Sequence, residues 1–537
     1  MIEHQELSII DRDARERGNT AAAPGYLEIR RHTFADVLRE QRRSRPDCLA
    51  TIDGDLRLTW RELDIRVNKL ASGLVRHGIS IGERILWLGQ NSVKLFELVL
   101  AAAKIGAFVV PANWRMSAHE IRQTIDDLDP RIIFWQQSEL GDVHREAREA
   151  GGGEHVWCQH DGDGADCFDK LLESGEDVDN DAFVDPDWPL VGVYTGAFSG
   201  RPAAAMLSHT ALLLQGMLAA QAQAIDEMTR YLVSGPMFHV GVLMGAFATY
   251  LRGGLQVFVP RVNALELMYL IDREKVSHAY IPHPTALQIK ELFPTRSYDL
   301  SSLFKDGDPS NWQATLVAPT HAPISRSFGG YGQTEVSGYV TQSWLGGDGA
   351  GRPHPLAQVR IVNDEGLDVP AGETGEIVVR GPMVMSGYWN RPLDNAERAR
   401  FGWHRTHDLG RRNADGSIAF VGPKTTMIKS GAENIYPAEV EACLLRHAAV
   451  AAACVIGVPD PRWDQNVKAL IVFKDGMSAT EEELVSHCRV GMASYKKPKL
   501  WEFVTELPRL ASGGIDRDAA DRDFGGGGYP SRGVKRT

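Results

Sequence analysis

The feature that most constrains the fold is an alternation of short apolar runs with capped amphipathic segments, beginning at Phe34. Thr59-Trp-Arg-Glu62 has the spacing of a capping box, in which hydroxyl and carboxylate each satisfy a backbone donor that the first helical turn leaves free. Leu63, Val67, Leu70 and Leu74 follow at helical spacing and predict one buried stripe. Ile85 to Leu88 reads as a short buried strand, Val93 to Lys104 as a helix closed by Gly106, and Ala107 to Val110 as the next strand. Ser117-Ala-His-Glu120 caps a further helix. This alternation dictates a parallel sheet covered by helices on both faces. At 537 residues the chain exceeds one compact core, so two or more domains are expected.

Residues 1–33 read as a loosely ordered leader. Residues 160–187 are rich in Asp, Gly and Glu with few large apolar groups, and read as a solvent-exposed connection. The α/β pattern resumes at Leu190 and runs to about 300, and 304–330 is irregular. From 350 to 421 short β-rich pieces dominate, including Gln358 to Val362 and Gly375 to Val379. A smaller α/β unit follows Gly422 and ends in a Gly-rich tail, Gly525 to Gly528. The expected organisation is a leader (1–33), a large N-terminal body (34–423) and a small C-terminal lid (424–537).

A net charge of −12 speaks against a nucleic-acid partner, because a phosphate backbone calls for a basic face. No apolar run reaches the length of a membrane span, and the polar first thirty residues do not resemble a signal peptide. The six cysteines, at 48, 158, 167, 443, 454 and 488, form no CxxC pair, so reduced thiols in a cytoplasm are expected and neither disulfides nor zinc. His278 and His283 lack further ligands nearby and read as structural.

The most suggestive stretch is Val193 to His209, VYTGAFSGRPAAAMLSH. It reads as a strand over Leu190 to Tyr194, a loop of Thr, Gly, Ser, Gly and Pro, and an apolar helix from Ala204. Such a loop at a helix N-terminus can cradle phosphate oxygens, although the G-x-x-x-x-G-K-[ST] spacing of a nucleotide P-loop is absent. An ordinary strand-to-helix turn would read the same way. Its companions are Pro236-Met-Phe-His239, Gly330-Tyr-Gly-Gln-Thr-Glu335, Gly372-Glu-Thr-Gly-Glu376 and Thr406-His-Asp-Leu-Gly410, then Ile428-Lys-Ser-Gly-Ala-Glu-Asn-Ile-Tyr-Pro437 and Tyr495-Lys-Lys-Pro-Lys499.

In this order and at these separations, from about 34 to 517, the blocks resemble the adenylate-forming superfamily of acyl-CoA synthetases, non-ribosomal peptide synthetase adenylation domains and luciferases. The resemblance implies a large α/β body with a β-rich subdomain and a small mobile C-terminal α/β lid. It also implies ATP, Mg²⁺ and coenzyme A as cofactors or co-substrates. Thr195, Ser199, Gly330, Tyr331, Gly332, Gln333, Thr334, Asp408 and Lys429 would bind nucleotide, and Thr334, Glu335 and His239 would act in catalysis. Glu335 is a hard carboxylate suited to Mg²⁺, and Thr334 can donate to a phosphate oxygen. Asp408 offers two acceptors to the ribose hydroxyls, Tyr331 a flat ring to adenine, and His239 would lie against the acid pocket.

Departures from the pattern are as informative. Ala197 stands for a Gly, Phe198 for a hydroxyl residue and Ala203 for the Lys of the phosphate loop. Pro508-Arg-Leu-Ala-Ser-Gly-Gly-Ile-Asp-Arg517 puts Gly514 where the resemblance expects the adenylating Lys, and Gly422-Pro-Lys-Thr425 lacks the hinge Arg. Lys424, Lys429, Lys496 and Lys497 are the candidate substitute cations, the last two reading more safely as surface lysines. Three readings stay open. One is an AMP-forming ligase that passes an activated carboxylic acid to a nucleophile, by default coenzyme A. Another is a diazotase-type enzyme that activates nitrite for an arylamine in secondary metabolism. The third is a non-catalytic nucleotide-binding relative. A homodimer is compatible with each.

Overall fold

A computed structural model of the chain describes residues 29–149, 155–179, 181–196, 202–303, 308–309, 316–317, 330–342, 350–424, 426–431, 433–509 and 515–527. Two six-stranded sheets build the body. One runs Val156–Gln159, Ile132–Trp135, Arg84–Leu88, Phe108–Ala112, Pro189–Thr195, Ala203–Ser208 in spatial order, parallel except for its last strand. The other runs Leu316–Val317, His278–Tyr280, Arg230–Val233, Leu255–Phe258, Leu49–Asp53, Leu56–Thr59, with antiparallel strands only at its edges. Phe108–Ala112 is buried along its whole length, which is why it reads as an unbroken apolar run.

The predicted helices form where their caps place them. Glu62 N donates to Thr59 Oγ1 at 3.2 Å and Thr59 N to the Glu62 carboxylate at 2.8 Å, opening the helix Trp60–Arg76. Leu63, Val67, Leu70 and Leu74 are wholly buried, each contributing roughly 1.5–3 kcal/mol. Ser117 and Glu120 close the same box on Ala118–Leu128, and Gly106, at φ 71°, ends Val93–Ile105.

Two expectations fail here. The helix expected from Ala204 is instead the strand Ala203–Ser208, and the helix starts at His209. This strand pairs antiparallel with Pro189–Thr195 on one side. On the other, Met206 N donates to Gly387 O and Trp389 N to Ala204 O. A short apolar run has no periodicity of its own, and two waiting partners decide it. The elements on either side of the glycine-rich stretch are therefore both strands, and the next helix N-terminus comes only at His209.

The acidic stretch 160–187 is likewise more than a solvated link. Phe168, Leu171 and Leu172 of the helix Phe168–Ser174 are buried in the body core. Asp179 accepts from Arg39 Nε at 2.8 Å and from the buried Lys104 Nζ at 2.8 Å. Burial opposes its ionisation, but those hydrogen bonds outweigh it and hold Asp179 below the usual carboxylate range.

Four antiparallel strands, Gln358–Val362, Thr374–Arg380, His404–Arg412 and Ile418–Pro423, make the β-rich subdomain. The C-terminal domain carries a separate sheet of Glu433–Ile435, Ile428–Ser430, Asp464–Phe473 and Val450–Asp460, with Leu500–Phe503 parallel to Asp464–Phe473. Its core forms around Val440, Val455, Ile471 and Leu484. All six cysteines are free, and no described helix is long and apolar enough to cross a membrane. His278 is buried, with its ring nitrogens bonded to Ser277 Oγ and Gln223 O, as a structural histidine should be. The side chain of His283 lies outside the described residues, as does most of 304–330.

Candidate active site

A cavity of about 670 Å³ lies where the body, the β-rich subdomain and the C-terminal domain meet. Thr195, His239, Gly330, Tyr331, Gly332, Gln333, Thr334, Glu335, Asp408 and Lys429 all line it, so every described member of the predicted set converges there. Ser199, Ala197, Phe198 and Gly514 lie outside the described residues.

The body wall is a closed hydrogen-bond network. Tyr331 OH donates to Asp408 Oδ2 at 2.8 Å, Gln333 Nε2 donates to the same oxygen at 3.0 Å, and the two donors meet at 2.7 Å. Burial pushes Asp408 up to about 6, against the stabilising bond from Tyr331. His404, which burial holds down to about 3 and therefore neutral, donates from Nε2 to Gln333 Oε1 at 3.2 Å. The Tyr331 ring stacks on Phe420 at 5.5 Å and 21°, so one face is covered by the protein itself. A Cβ at Gly332 would stand 2.1 Å from Gly338 O across the short ladder that carries this network.

Glu335 follows on the 3₁₀ turn Thr334–Val336. Gln215 Nε2, from the body helix His209–Gln223, fixes that turn by donating to Val336 O at 2.9 Å and Tyr339 O at 2.7 Å. The Glu335 side chain is buried, and Oε1 accepts from Tyr388 OH at 2.7 Å. Among the described residues no group of three or more His, Cys, Asp and Glu could hold a metal. Glu335 alone fits Mg²⁺, which takes one or two carboxylates and fills its octahedron with water and substrate phosphates. Thr195 Oγ1 is a buried hydroxyl at the cavity wall beside the Tyr388 hydroxyl, placed where an anion could accept from it. Next to it, a Cβ on Gly196 would stand 1.7 Å from the Tyr436 ring, so glycine lets the C-terminal domain close on the hairpin.

That opposite wall carries the charges. Lys429 Nζ donates to the neutral Asn434 Oδ1 at 2.9 Å, and burial pushes its ammonium down from the ordinary lysine value. Glu433 Oε2 stands 3.5 Å from His239 Nε2; burial works against its charge, but the His239 contact prevails and holds it below the usual range. Lys496, expected at the surface, is buried: Nζ bonds Glu120 Oε1 at 2.8 Å and Glu439 Oε1 at 2.5 Å, joining body to C-terminal domain. Lys424 faces elsewhere, bonding Asp364 at 2.7 Å and Glu376 at 3.3 Å, and does not line the cavity. Sequence reasoning gave no role to Tyr388, Glu433 or Tyr436. The last two lie in a quoted block, whereas Tyr388 carries no local signal.

Body, β-rich subdomain and small C-terminal domain around such a cavity define the adenylate-forming ligase architecture. The family described as AMP-binding enzyme matches residues 38–389, and the AMP-binding enzyme C-terminal domain matches 439–513. A feruloyl-CoA synthase of an Amycolatopsis species is 34% identical over 506 residues, covering 90% of this chain and 97% of its own length. An indoleacetate–CoA ligase of Aromatoleum aromaticum is 32% identical over 470 residues, covering 86% and 92%. Among solved structures, an o-succinylbenzoate CoA synthetase of Bacillus subtilis superposes with a TM-score of 0.76 at 25% identity, covering 90% of this chain and 97% of that one. The chain belongs to the AMP-binding enzyme family, whose members are AMP-forming ligases. The nitrite reading finds no support in these relatives, whose names are those of enzymes that join a carboxylic acid to CoA.

Proposed function

We propose that this protein is an acid–CoA ligase that activates an aromatic carboxylic acid as its AMP anhydride, releases pyrophosphate and passes the acyl group to the thiol of coenzyme A. The observation that carries this is the single cavity in which the Asp408 network, Glu335, Thr195 and Lys429 face one another. Adenine packs against the Tyr331–Phe420 pair, and the ribose hydroxyls reach Asp408. Thr195 and Thr334 meet phosphate oxygens. Glu335 holds Mg²⁺, which when bound neutralises charge on those oxygens.

Phe238 and Tyr280 flank His239 on the cavity wall, and a ring-bearing acid suits that flat apolar lining. The aromatic acids in two relatives' names support the same class. Residues 424–537 form the lid, hinged just after Pro423, where the last strand of the β-rich subdomain ends. The test is pyrophosphate release with ATP and Mg²⁺ across aromatic, aliphatic and inorganic acids, nitrite included, with and without coenzyme A. Release with aromatic acids and a thioester product is the expected result. Release with no acid of the panel would leave the protein a nucleotide binder only, and release with nitrite alone would overturn the carboxylic-acid reading.

A further inference from the structure

Activation puts negative charge where few cations wait. The acid's oxygen attacks the α-phosphorus, the bond from that phosphorus to the bridging oxygen breaks, and pyrophosphate leaves with the electron pair. In the second step the thiol sulfur attacks the carbonyl carbon, the C–O bond to AMP breaks, and the thiol proton passes to water. Both steps load the α-phosphate oxygens with charge, and a fixed cation there lowers the barrier. Among the described residues the cavity is lined by five carboxylates, Glu335, Asp408, Glu433, Glu439 and Asp464, against two lysines, Lys429 and Lys496.

The two lysines are not equivalent. Lys496 is held between Glu120 and Glu439 and its charge is spent on joining the domains. Lys424 is paired to Asp364 and Glu376 away from the cavity. Lys429 hydrogen-bonds only the neutral Asn434 amide among the contacts described; Glu433 and Asp464 act on its charge from nearby without a hydrogen bond to it, and its backbone N–H is anchored to Gln465 Oε1 at 3.0 Å. It therefore presents a positioned charge that an anionic ligand can claim. The sequence agrees, since Ala203 and Gly514 remove the two lysines that the resemblance led one to expect.

We propose that Lys429 is the cation that meets the α-phosphate in acid activation as well as in acyl transfer, acting from the docked domain position seen here. This rests on the ligase reading above and names the residue that makes it work without a lysine at 514. The domain position is secured by the Lys496 pairs, by Tyr436 on Gly196, and by Asn113 Nδ2 donating to Tyr495 OH at 3.4 Å.

The test separates the two half-reactions in Lys429→Ala, with Lys429→Met, which keeps the apolar stem, used if Ala unfolds the domain. Single-turnover pyrophosphate release without coenzyme A, and thioester formation from a chemically prepared acyl-adenylate, should both fall by about 10²-fold or more. Independently of turnover, ATP alone should shield Lys429 of the parent from a small amine-acylating reagent, read by peptide mass. Pyrophosphate release within about threefold of the parent, with only thioester formation lost, would confine Lys429 to transfer and overturn the inference. Lack of shielding by saturating ATP would overturn it too. A parent that releases no pyrophosphate with any carboxylic acid defeats the ligase reading itself, and this inference with it.

Discussion

The two walls of the cavity are built on opposite principles. The body wall spends its polar atoms on itself: Tyr331, Gln333, His404 and Asp408 form one connected network, and Gln215 pins the turn that follows. The C-terminal wall is a set of charged groups, and through Lys496 and Tyr436 it makes contacts that cross to the body. A network whose members satisfy one another keeps its geometry whether or not the domains meet. Ion pairs across an interface depend on docking. On the proposed reading nucleotide recognition is thus preorganised, whereas the cation that would stabilise charge arrives only with the domain that carries it.

The sharpest way to break that division is Lys496→Ala. Removing one partner from a buried ion-paired group leaves Glu120 and Glu439 uncompensated and typically costs about 3–5 kcal/mol. Tryptic cutting near Lys424 should rise strongly, both half-reactions should fall, and ATP affinity should hold within about threefold, because the body wall is untouched. A comparable loss of ATP affinity would show that the walls are not separable.

Glu335→Gln comes next. It keeps an acceptor for Tyr388 while deleting the charge, so Mg²⁺-dependent pyrophosphate release should drop about 10²–10³-fold with melting little changed. Glu335→Ala is a poorer probe than its position in the sequence suggests. The side chain is buried, and Ala strands the Tyr388 hydroxyl at about 1–3 kcal/mol of stability. Equal release in Glu335→Gln and the parent would remove Glu335 from the metal site.

Asp408→Asn tests the body wall alone. ATP affinity should weaken by about 1–3 kcal/mol as a charge-assisted bond to ribose is lost. Folded Asp408 keeps its proton up to about pH 6, whereas an unfolded aspartate releases it near 4. Between those values the folded state binds more protons, so stability falls as pH rises, and the deficit is complete at pH 7. The variant should therefore melt above the parent at pH 7 and level with it near pH 3.5. Parallel melting curves across that range would mean that the folded carboxyl titrates normally.

Legibility follows the range of the interaction. The boxes at Thr59–Glu62 and Ser117–Glu120 and the Gly106 cap are set by neighbours within a few residues, and all were readable. Asp408 and Tyr331 could be brought together only through the shared order of blocks, since no periodicity links residues 77 apart. What escaped depends on distant partners alone. Ala203–Ser208 is a strand because 189–195 and 386–389 flank it, and Lys496 is buried because Glu120, 376 residues earlier, receives it. The same holds for Asp179, whose partners Arg39 and Lys104 lie far upstream.

The smallest effect is expected where the resemblance expects the largest. If Gly514 is the site of a missing catalytic lysine, Gly514→Lys should accelerate acid activation by about 10²–10³-fold, the worth of a charge stabiliser in a water-poor site. If Lys429 already supplies that charge from the docked C-terminal wall, the second cation adds little, and the rate should stay within about threefold of the parent. The variant must be shown to fold, because glycine tolerates backbone conformations that lysine resists. The comparison becomes decisive in the double variant. In Lys429→Ala with Gly514→Lys, recovery of pyrophosphate release without recovery of acyl transfer would show that the new lysine serves activation alone. Recovery of neither step leaves Lys429 as the cation for both. A large acceleration by Gly514→Lys in the otherwise native protein would instead make the C-terminal wall deficient as it stands, and Lys429 a bystander in the first step.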